Sequence, residues 1–233
     1  MDERVCMVVG VGPGNGASIS RRFAAEGWKV AMTARSEERL RKLEREIPGS
    51  HGYVWDVRDA TAAGPVFERV RRELGPPSAL VYNAGNARFG SIDELELEAF
   101  QDAWEVNARG LFVAAKHALP DLREASRSDL VVIGATASVR GGARFAAFAA
   151  SKFAQRGLAQ SLARHLGPEG VHVSYVVIYG VIDMPRTRKM FPDQPDAFFL
   201  APDRIAEAVH FLTLQDPSAW SFELDLRPFG ERW

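Results

Sequence analysis

The 233-residue sequence has one cysteine, no long apolar run and no excess of charge of either sign. A single cysteine, Cys6, excludes an internal disulfide bond and suits a reducing compartment. Lysine plus arginine (29) nearly balance aspartate plus glutamate (30), so the basic surface that nucleic acid requires is not indicated. The amino terminus lacks the basic segment and apolar core of a signal peptide, and no apolar run is long enough to cross a membrane. We therefore expect a soluble, cytoplasmic protein.

Nothing in the composition divides the chain. No stretch rich in proline, glycine or serine interrupts it, and it has no internal repeat or low-complexity tract. A chain of 233 residues with 46% hydrophobic content is long enough for one substantial core. We predict a single domain over residues 1–233.

Short valine-rich runs alternate with longer amphipathic stretches. The predicted strands are 5–9, 29–34, 52–55, 79–82, 130–134, 172–178 and a last short one near 222–226. The predicted helices are 17–26, 37–46, 62–74, 98–119, 145–166 and 202–214. Most strand candidates are apolar without alternation, as expected when both faces of a parallel sheet are covered. The pattern predicts an α/β fold with a doubly wound parallel sheet of about seven strands and helices on both faces.

The segment VVGVGPGNGAS joins the first predicted strand to the first predicted helix. Two registers are possible: Gly12, Gly14 and Ala17 fit G-x-G-x-x-A, and Gly10, Gly14 and Gly16 fit G-x-x-x-G-x-G. In either register the glycines let the backbone turn sharply and approach a pyrophosphate at a helix N-terminus, where free N–H groups favour negative charge. A Walker-type loop is excluded because no Lys-Ser or Lys-Thr pair follows. The position of the loop predicts a dinucleotide-binding site.

The end of the second predicted strand bears on the choice of cofactor. NAD sites commonly place an acidic residue about 20 residues after the glycines, where it binds the ribose hydroxyls. Here Ala34 is followed by Arg35. An arginine can pair with a 2′-phosphate, whereas an acidic side chain would repel it. Arg35 therefore favours NADP over NAD, although a plain surface position would explain it too.

Three further stretches complete a pattern that covers nearly the whole chain: YNAG at 82–85, EVNARG at 105–110 and the helix that carries Lys152. Together with G-x-x-x-G-x-G they resemble the short-chain dehydrogenase/reductase family, which has a Rossmann-type fold. The resemblance favours the second glycine register. The cofactor-binding residues that it implies are Gly10, Gly14, Asn15, Gly16, Asp56, Val57, Asn83, Ala84, Gly85, Lys152 and Ile182.

The resemblance also implies roles for several of these residues. Residues 83–85 line the adenosine ribose side, and residues 56–57 contact the adenine. Asn107 kinks the fourth helix and holds a water in the proton relay, so it is predicted to be catalytic. Lys152 binds the nicotinamide ribose and takes part in catalysis. A cofactor hydroxyl thus explains a charged amine inside the apolar stretch FAAFAASKFAQ.

The proton donor of the family has no counterpart at the matching position. Its tyrosine lies four residues before the lysine on the same helix face, so that the ammonium stabilises a phenolate. That position is Phe148 here, and Phe145 stands seven residues before the lysine, where some enoyl reductases carry the tyrosine. The family's orienting serine falls on Ala135. Thr136 and Ser138 are close, but a shift of one residue along a strand points a side chain to the opposite face.

Two replacement sources of the proton are predicted. Tyr179 stands where the family has the proline of a Pro-Gly pair, and the resemblance places it beside the nicotinamide, although simple packing against the cofactor or the lid would explain it too. A water bound by Asn107 and Lys152 is the second source. We therefore expect an NADP(H)-dependent oxidoreductase that acts on a small carbonyl, alcohol or enone with an altered proton relay. The alternative is a catalytically inactive nucleotide-binding scaffold or regulatory protein.

Other chemistries have little support in the sequence. The five histidines show no metal-ligand spacing, so no metal site is predicted. Serine hydrolysis lacks a G-x-S-x-G elbow. A lyase or isomerase using the same pocket lacks a constellation of bases.

The resemblance also implies that residues 183–201 form a lid over the substrate. Its basic residues could attract an anionic group and its apolar residues an apolar one, although an ordinary loop with a solvated basic turn is the simpler interpretation. The residues concerned are Arg186, Arg188, Lys189, Met190, Phe191, Phe198 and Phe199. The alanine-rich helix at 145–166 allows close helix packing, and the family often pairs this helix and the fourth across a two-fold axis. We expect a homodimer or homotetramer, with Phe229 and Trp233 at a subunit boundary.

Overall fold

A computed structural model describes residues 4–231 and contains a seven-stranded parallel sheet. The strands of the described chain are β1 (Val5–Val9), β2 (Lys29–Ala34), β3 (Ser50–Val54), β4 (Ala79–Tyr82), β5 (Ser128–Ile133), β6 (Val171–Ile178), β7 (Val181–Ile182), β8 (Phe199–Leu200) and β9 (Glu223–Leu226). The main sheet has the order β3-β2-β1-β4-β5-β6-β9. The predicted fold class is confirmed, and β1, β2 and β4 have the predicted bounds.

Helices cover both faces of this sheet. They are α1 (Asn15–Ala25), α2 (Glu37–Glu46), α3 (Ala63–Glu73), α4 (Leu97–Trp104), α5 (Gly110–Glu124), α6 (Ala146–Leu166), α7 (Pro185–Met190) and α8 (Pro202–Leu212). Successive strand residues point to opposite faces, so Met7 and Val8 belong to two different core clusters. One cluster packs against α1, α2 and α8, and the other packs against α3, α5 and α6.

The helix predicted at 98–119 is present over residues 97–124, and it is interrupted at Asn107, where the resemblance implied a kink. A π-helical turn at Glu105–Arg109 separates α4 from α5. At this turn the hydroxyl of Tyr82 donates a hydrogen bond to the carbonyl of Val106 at 2.5 Å, and a Cβ at Gly110 would collide with the same hydroxyl. The extra residue of the turn therefore fits the helix around a buried phenol and turns Asn107 inward, which hydropathy does not reveal.

The segment predicted as a lid has its own small structure. β7 and β8 form a two-stranded parallel sheet, with α7 between them in the chain. At the carboxyl end, Phe229 is 93% exposed, and Trp233 lies outside the described residues. Over residues 4–231, every helix is too short or too polar to cross a bilayer. The cytoplasmic location stays a prediction.

The topology fixes where a ligand can bind. The chain moves outward from β1 to β2 and β3, then returns to the other side of β1 with β4. Open parallel sheets bind ligands at such a reversal, in the crevice outside the carboxyl ends of the strands.

Candidate functional site

A cavity of 1090 Å³ lies at this crevice. Its walls come from the loops that follow β1 to β6 and from α7. Every residue that the sequence predicts to bind the cofactor lines it, from the glycine loop at one wall to Lys152 and Ile182 at the other. Of the three residues predicted to be catalytic, Lys152 lines the cavity, whereas Asn107 and Tyr179 do not.

The glycine loop fits the second register. Gly10 has φ +89°, and a Cβ there would lie 2.5 Å from the backbone nitrogen of Ala84. A Cβ at Gly16 would lie 2.7 Å from the Cα of Val11. A Cβ at Gly12, by contrast, would meet open space. Backbone packing therefore requires Gly10 and Gly16, whereas a Cβ at Gly14 would meet the flexible side chain of Met184 and one at Gly12 would meet nothing.

Two asparagines complete this wall. The side-chain amide of Asn83 donates a hydrogen bond to the carbonyl of Gly10 at 2.7 Å, which ties the end of β4 to the loop. Asn15 opens α1 and is 6% exposed, and its Oδ1 has no hydrogen-bond partner among residues 4–231. A buried oxygen without a partner is costly. A ligand hydroxyl in the cavity would satisfy it, so this wall fits a nucleotide.

Two arginines stand at the end of β2. Arg35 follows the strand and Arg39 lies one helical turn later in α2, and both are exposed and line the cavity. Within the described chain, neither guanidinium forms an ion pair with an acidic side chain. Sequence reasoning found Arg35 but missed Arg39, which lies in the first turn of α2, three residues after the Ser36 cap, and lines the same cavity.

Asp56 lies beside them, but its carboxylate is already engaged. Arg58 donates to both of its oxygens, with the shortest hydrogen bond at 2.7 Å, and holds the pKa of Asp56 below its ordinary value. The same guanidinium reaches Asp102 at 2.7 Å. The Asp56 carboxylate is thus neutralised by Arg58. The contact of residues 56–57 with an adenine stays a prediction.

Lys152 is 4% exposed and sits at the opposite end of the cavity. Its ammonium donates to the carbonyl of Ile133 and to Oε1 of Gln155, both at 2.9 Å. Burial lowers the pKa of Lys152 to about 7. The amine predicted from the sequence is thus present at the cavity wall, in an environment that disfavours its charge.

Asn107 lies behind the cavity wall and is fully buried. Its side-chain amide donates to the carbonyl of Asn86 at 3.0 Å and to the hydroxyl of Ser151 at 2.9 Å. Its backbone carbonyl accepts from Nε2 of Gln155 at 2.9 Å. The structure therefore gives Asn107 protein partners rather than a place at the cavity, and the water predicted there stays a prediction.

Three phenylalanines form an aromatic wall where the proton donor was sought. Phe148 and Phe145 line the cavity and meet Phe89, with ring centroids 5.7 and 5.1 Å from that ring. Both pairs are edge-to-face, the favoured geometry for aromatic rings. None of these three side chains has an ionisable group that could donate a proton to a substrate.

The nearby hydroxyls divide between cavity and core. A 3₁₀ turn at Thr136–Ser138 follows β5. Ala135 and Thr136 line the cavity, whereas the hydroxyl of Ser138 points inward and lies 2.7 Å from the hydroxyl of Tyr175. Thr136 therefore lies at the cavity, with its hydroxyl donating to the carbonyl of Ile178 at 3.4 Å.

The expectation that Tyr179 faces the cavity is wrong. Ile178 and Gly180 line the cavity, and the alternation of a strand turns Tyr179 to the other face, where it is 8% exposed in the core cluster of Tyr175. Burial raises the pKa of its hydroxyl. The sequence has four tyrosines; Tyr53 and Tyr82, like the two named above, lie outside the cavity lining and have raised pKa values.

The segment predicted as a lid contributes fewer cavity-lining groups than its sequence suggests. Of its predicted basic residues Arg186 lines the cavity, whereas Arg188 pairs with Asp183 at 2.7 Å and with Asp196 at 2.6 Å. Met190 and Phe191 are its predicted apolar residues that line the cavity. Arg188 thus joins two parts of this segment through ion pairs and does not line the cavity.

Sequence reasoning missed one buried polar cluster. Ser138, Tyr175 and Gln155 are each 0% exposed and link Lys152 to Asn107 through hydrogen bonds. The available signal was a glutamine three residues after the lysine, on the same face of an otherwise alanine- and leucine-rich helix.

Comparison with known proteins gives relatives of similar length. A model of the short chain dehydrogenase family matches residues 4–195. The chain is 29% identical over 220 residues to the 3-oxoacyl-(acyl-carrier-protein) reductase FabG of Escherichia coli (strain K12), covering 91% of this chain and 90% of the relative.

Solved structures give the same fold. An actinorhodin polyketide ketoreductase variant with NADPH has a TM-score of 0.89 and 27% identity, and the likeness covers 97% of each chain. An NADPH-bound short chain oxidoreductase from Pseudomonas aeruginosa PAO1, described as containing an atypical catalytic center, has a TM-score of 0.88 and 25% identity, covering 99% of this chain and 97% of the other.

Proposed function

The chain belongs to the short-chain dehydrogenase family, and we propose that it is an NADP(H)-dependent oxidoreductase of a small carbonyl, alcohol or enone. One observation carries the proposal: a single continuous cavity joins the glycine loop and Arg35 at one wall to a buried lysine at the other. A dinucleotide has its phosphates and its reactive ring at opposite ends, as this arrangement requires.

The residues present fit this cofactor. The backbone around Gly14 and Gly16 would receive the diphosphate, and Oδ1 of Asn15 would accept from a cofactor hydroxyl. Arg35 and Arg39 would bind a 2′-phosphate, which favours NADP over NAD. When bound, the reduced cofactor supplies a hydride to the substrate. The NADPH-bound structural neighbours support the choice.

The proton relay is altered in this proposal. Phe148 and Ala135 occupy the positions of the family's tyrosine and serine, and both line the cavity without a hydroxyl. The lid over residues 183–201 closes the substrate end, with Arg186 and Phe191 facing inward. The aromatic wall opposite favours an apolar substrate.

A nucleotide-binding scaffold without turnover is the second candidate. It is favoured by the position of all four tyrosines outside the cavity. NADPH binding does not separate the two candidates, whereas NADPH consumption does.

We predict that the wild-type protein oxidises NADPH with at least one member of a panel of ketones, aldehydes and enones. We expect turnover by Phe148→Tyr to stay within about tenfold of wild type, because the proton comes from another group. A missing general acid typically costs ~10²–10⁴-fold. A gain of that size would show that the phenol is limiting. Phe145→Tyr, which adds a hydroxyl to the same aromatic wall, is the matched control. Consumption by neither protein despite NADPH binding would establish the scaffold.

A second copy of the chain is the partner we propose. Trp104, Phe112 and Phe153 are 45%, 53% and 46% exposed on α4, α5 and α6, and burying such rings stabilises association. We expect light scattering on a sizing column to give at least a dimer and Phe112→Asp to lower the measured mass. Phe211→Asp, on the exposed side of α8, is the control. A monomeric wild type would contradict the proposal.

A further inference from the structure

The proton source can be narrowed by asking which side chains at the cavity titrate. No tyrosine lines it. Arg140 and Arg186 line its substrate end, but arginine does not give up a proton in proteins. Asp56 and Asp102 also line the cavity, but both carboxylates are paired with Arg58. The remaining titratable groups are Lys152 and Glu231, the latter beside Gly180. Of these two, Lys152 is the buried one, and two hydrogen bonds within the protein fix its ammonium.

The ammonium of Lys152 has one N–H group to spare. Two of its three donors are used by the carbonyl of Ile133 and by Oε1 of Gln155, each at 2.9 Å. Its Nζ lies 4.0 Å from the position of a Cβ built on Gly85, which itself lines the cavity. The remaining N–H is therefore available on the cavity side.

The orientation of Gln155 is set by its own partners. Its Nε2 donates to the carbonyl of Asn107 at 2.9 Å, and its Oε1 accepts from the hydroxyl of Tyr175 at 3.0 Å. Ser138 in turn holds that hydroxyl at 2.7 Å. Because the amide nitrogen must face a carbonyl, the amide oxygen must face the lysine. The glutamine is thus locked as an acceptor for the ammonium.

Charge does not stabilise this ammonium. The groups that face Lys152 are the carbonyl of Ile133, the amide of Gln155 and, across Gly85, the amide of Asn107. Tyr175 behind Gln155 is neutral, because burial raises the pKa of its hydroxyl. Burial alone lowers the pKa of Lys152, to about 7. A general acid is most effective when its pKa lies near the working pH.

Building on the reductase proposed above, we propose that Lys152 itself gives the proton to the substrate oxygen and that Gln155 is its positioning residue. In reduction, the carbonyl carbon receives the hydride that bound NADPH would supply, with NADP⁺ as the oxidised product, and the electron pair of the C=O π bond moves to oxygen. That oxygen takes a proton from Nζ of Lys152, directly or across one water. Lys152 is left as a neutral amine and regains a proton from solvent through the open cavity.

The two reaction directions must then depend on pH with opposite sign. Reduction needs the ammonium, so its kcat/KM falls as the pH rises through the pKa of Lys152, near pH 7. Oxidation needs the neutral amine as a base, so its kcat/KM rises across the same range. These opposite limbs are measurable on the wild-type protein alone, which removes any dependence on variants that fail to fold.

Three variants sharpen the test, with NADPH and the best carbonyl of the panel from pH 5.5 to pH 9.5. Lys152→Arg keeps a cation and its donors but cannot titrate, so we expect the limb to vanish and turnover to fall roughly 10²–10⁴-fold. Gln155→Leu keeps a side chain of similar volume but removes the oxygen that accepts from the ammonium. We therefore expect the pH limb to move about one pH unit lower, while KM for NADPH changes less than about threefold. Glu231→Gln should leave the limb in place.

The contrary outcomes are distinct. A limb near pH 7 that persists in Lys152→Arg, or that disappears in Glu231→Gln, would overturn the role of Lys152. A limb unmoved in Gln155→Leu, in a variant whose melting temperature shows that it is folded, would remove the positioning role. A wild-type protein that binds NADPH but consumes none would instead overturn the proposed function. The pH profiles require turnover, so they test the role of Lys152 alone.

Discussion

Replacement of Gly10 by alanine is expected to lower the melting temperature by roughly 6–12 °C and to abolish NADPH binding. Gly10 has φ +89°, where a side chain costs about 1–2 kcal/mol. The new Cβ would also lie 2.5 Å from the backbone nitrogen of Ala84. Asn83, next to Ala84, is bonded to the carbonyl of Gly10, so the end of β4 cannot move away without losing that bond. Together these effects cost at least about 3 kcal/mol, at roughly 2–4 °C per kcal/mol.

Gly12→Ala is the matched control, because a Cβ there meets nothing within 4 Å. Its melting temperature should stay within about 2 °C of wild type. Differential scanning fluorimetry checks the melting temperatures, and quenching of protein fluorescence checks NADPH binding. If Gly12→Ala were the destabilised variant, the G-x-G-x-x-A register would be the correct one.

The sequence predicts the bounds of an element correctly where local burial and capping alone set those bounds. The bounds of β1, β2 and β4 follow from apolar runs that are buried on both faces, and those of α2 follow from a Ser36 cap and a clear amphipathic pattern. For the helix at 98–119, only the family resemblance implied the kink at Asn107, because the π turn there packs around one distant hydroxyl, that of Tyr82. A partner far along the chain leaves no local pattern to detect.

The candidate site divides in the same way. Most residues predicted to bind the cofactor were identified from the spacing of the glycines and Lys152 in the family pattern, and each of them lines the cavity, whereas their contact with a cofactor stays a prediction. Tyr179 was misplaced because a strand alternates its faces and the neighbouring Ile178 and Gly180 occupy the cavity side. Gln155 was overlooked because its partners come from other elements, which only the folded chain brings together.

Replacement of both Arg35 and Arg39 by alanine is expected to raise the Kd for NADPH by about 10²-fold or more and to leave the Kd for NADH within about threefold. Only NADPH carries a 2′-phosphate, and a hydrogen bond to a charged group contributes about 1.5–3 kcal/mol. We take the lower part of that range for each arginine because both side chains are exposed. Calorimetric titration of the double variant with each coenzyme measures the effect.

Arg45→Ala is the matched control, because Arg45 is an exposed arginine of α2 that does not line the cavity. It removes one positive charge near the same site, half of the change in the double variant, so a loss shared by the control would reflect the general positive potential rather than a phosphate contact. The wild-type preference for NADPH should also shrink between 50 mM and 500 mM salt, because screening weakens exposed ion pairs. Equal losses of affinity for NADH and NADPH would indicate that these arginines contact a part that both coenzymes share, rather than the 2′-phosphate. The preference would then have to arise elsewhere along the wall, and Arg58, already paired with Asp56, would be the next cation to replace.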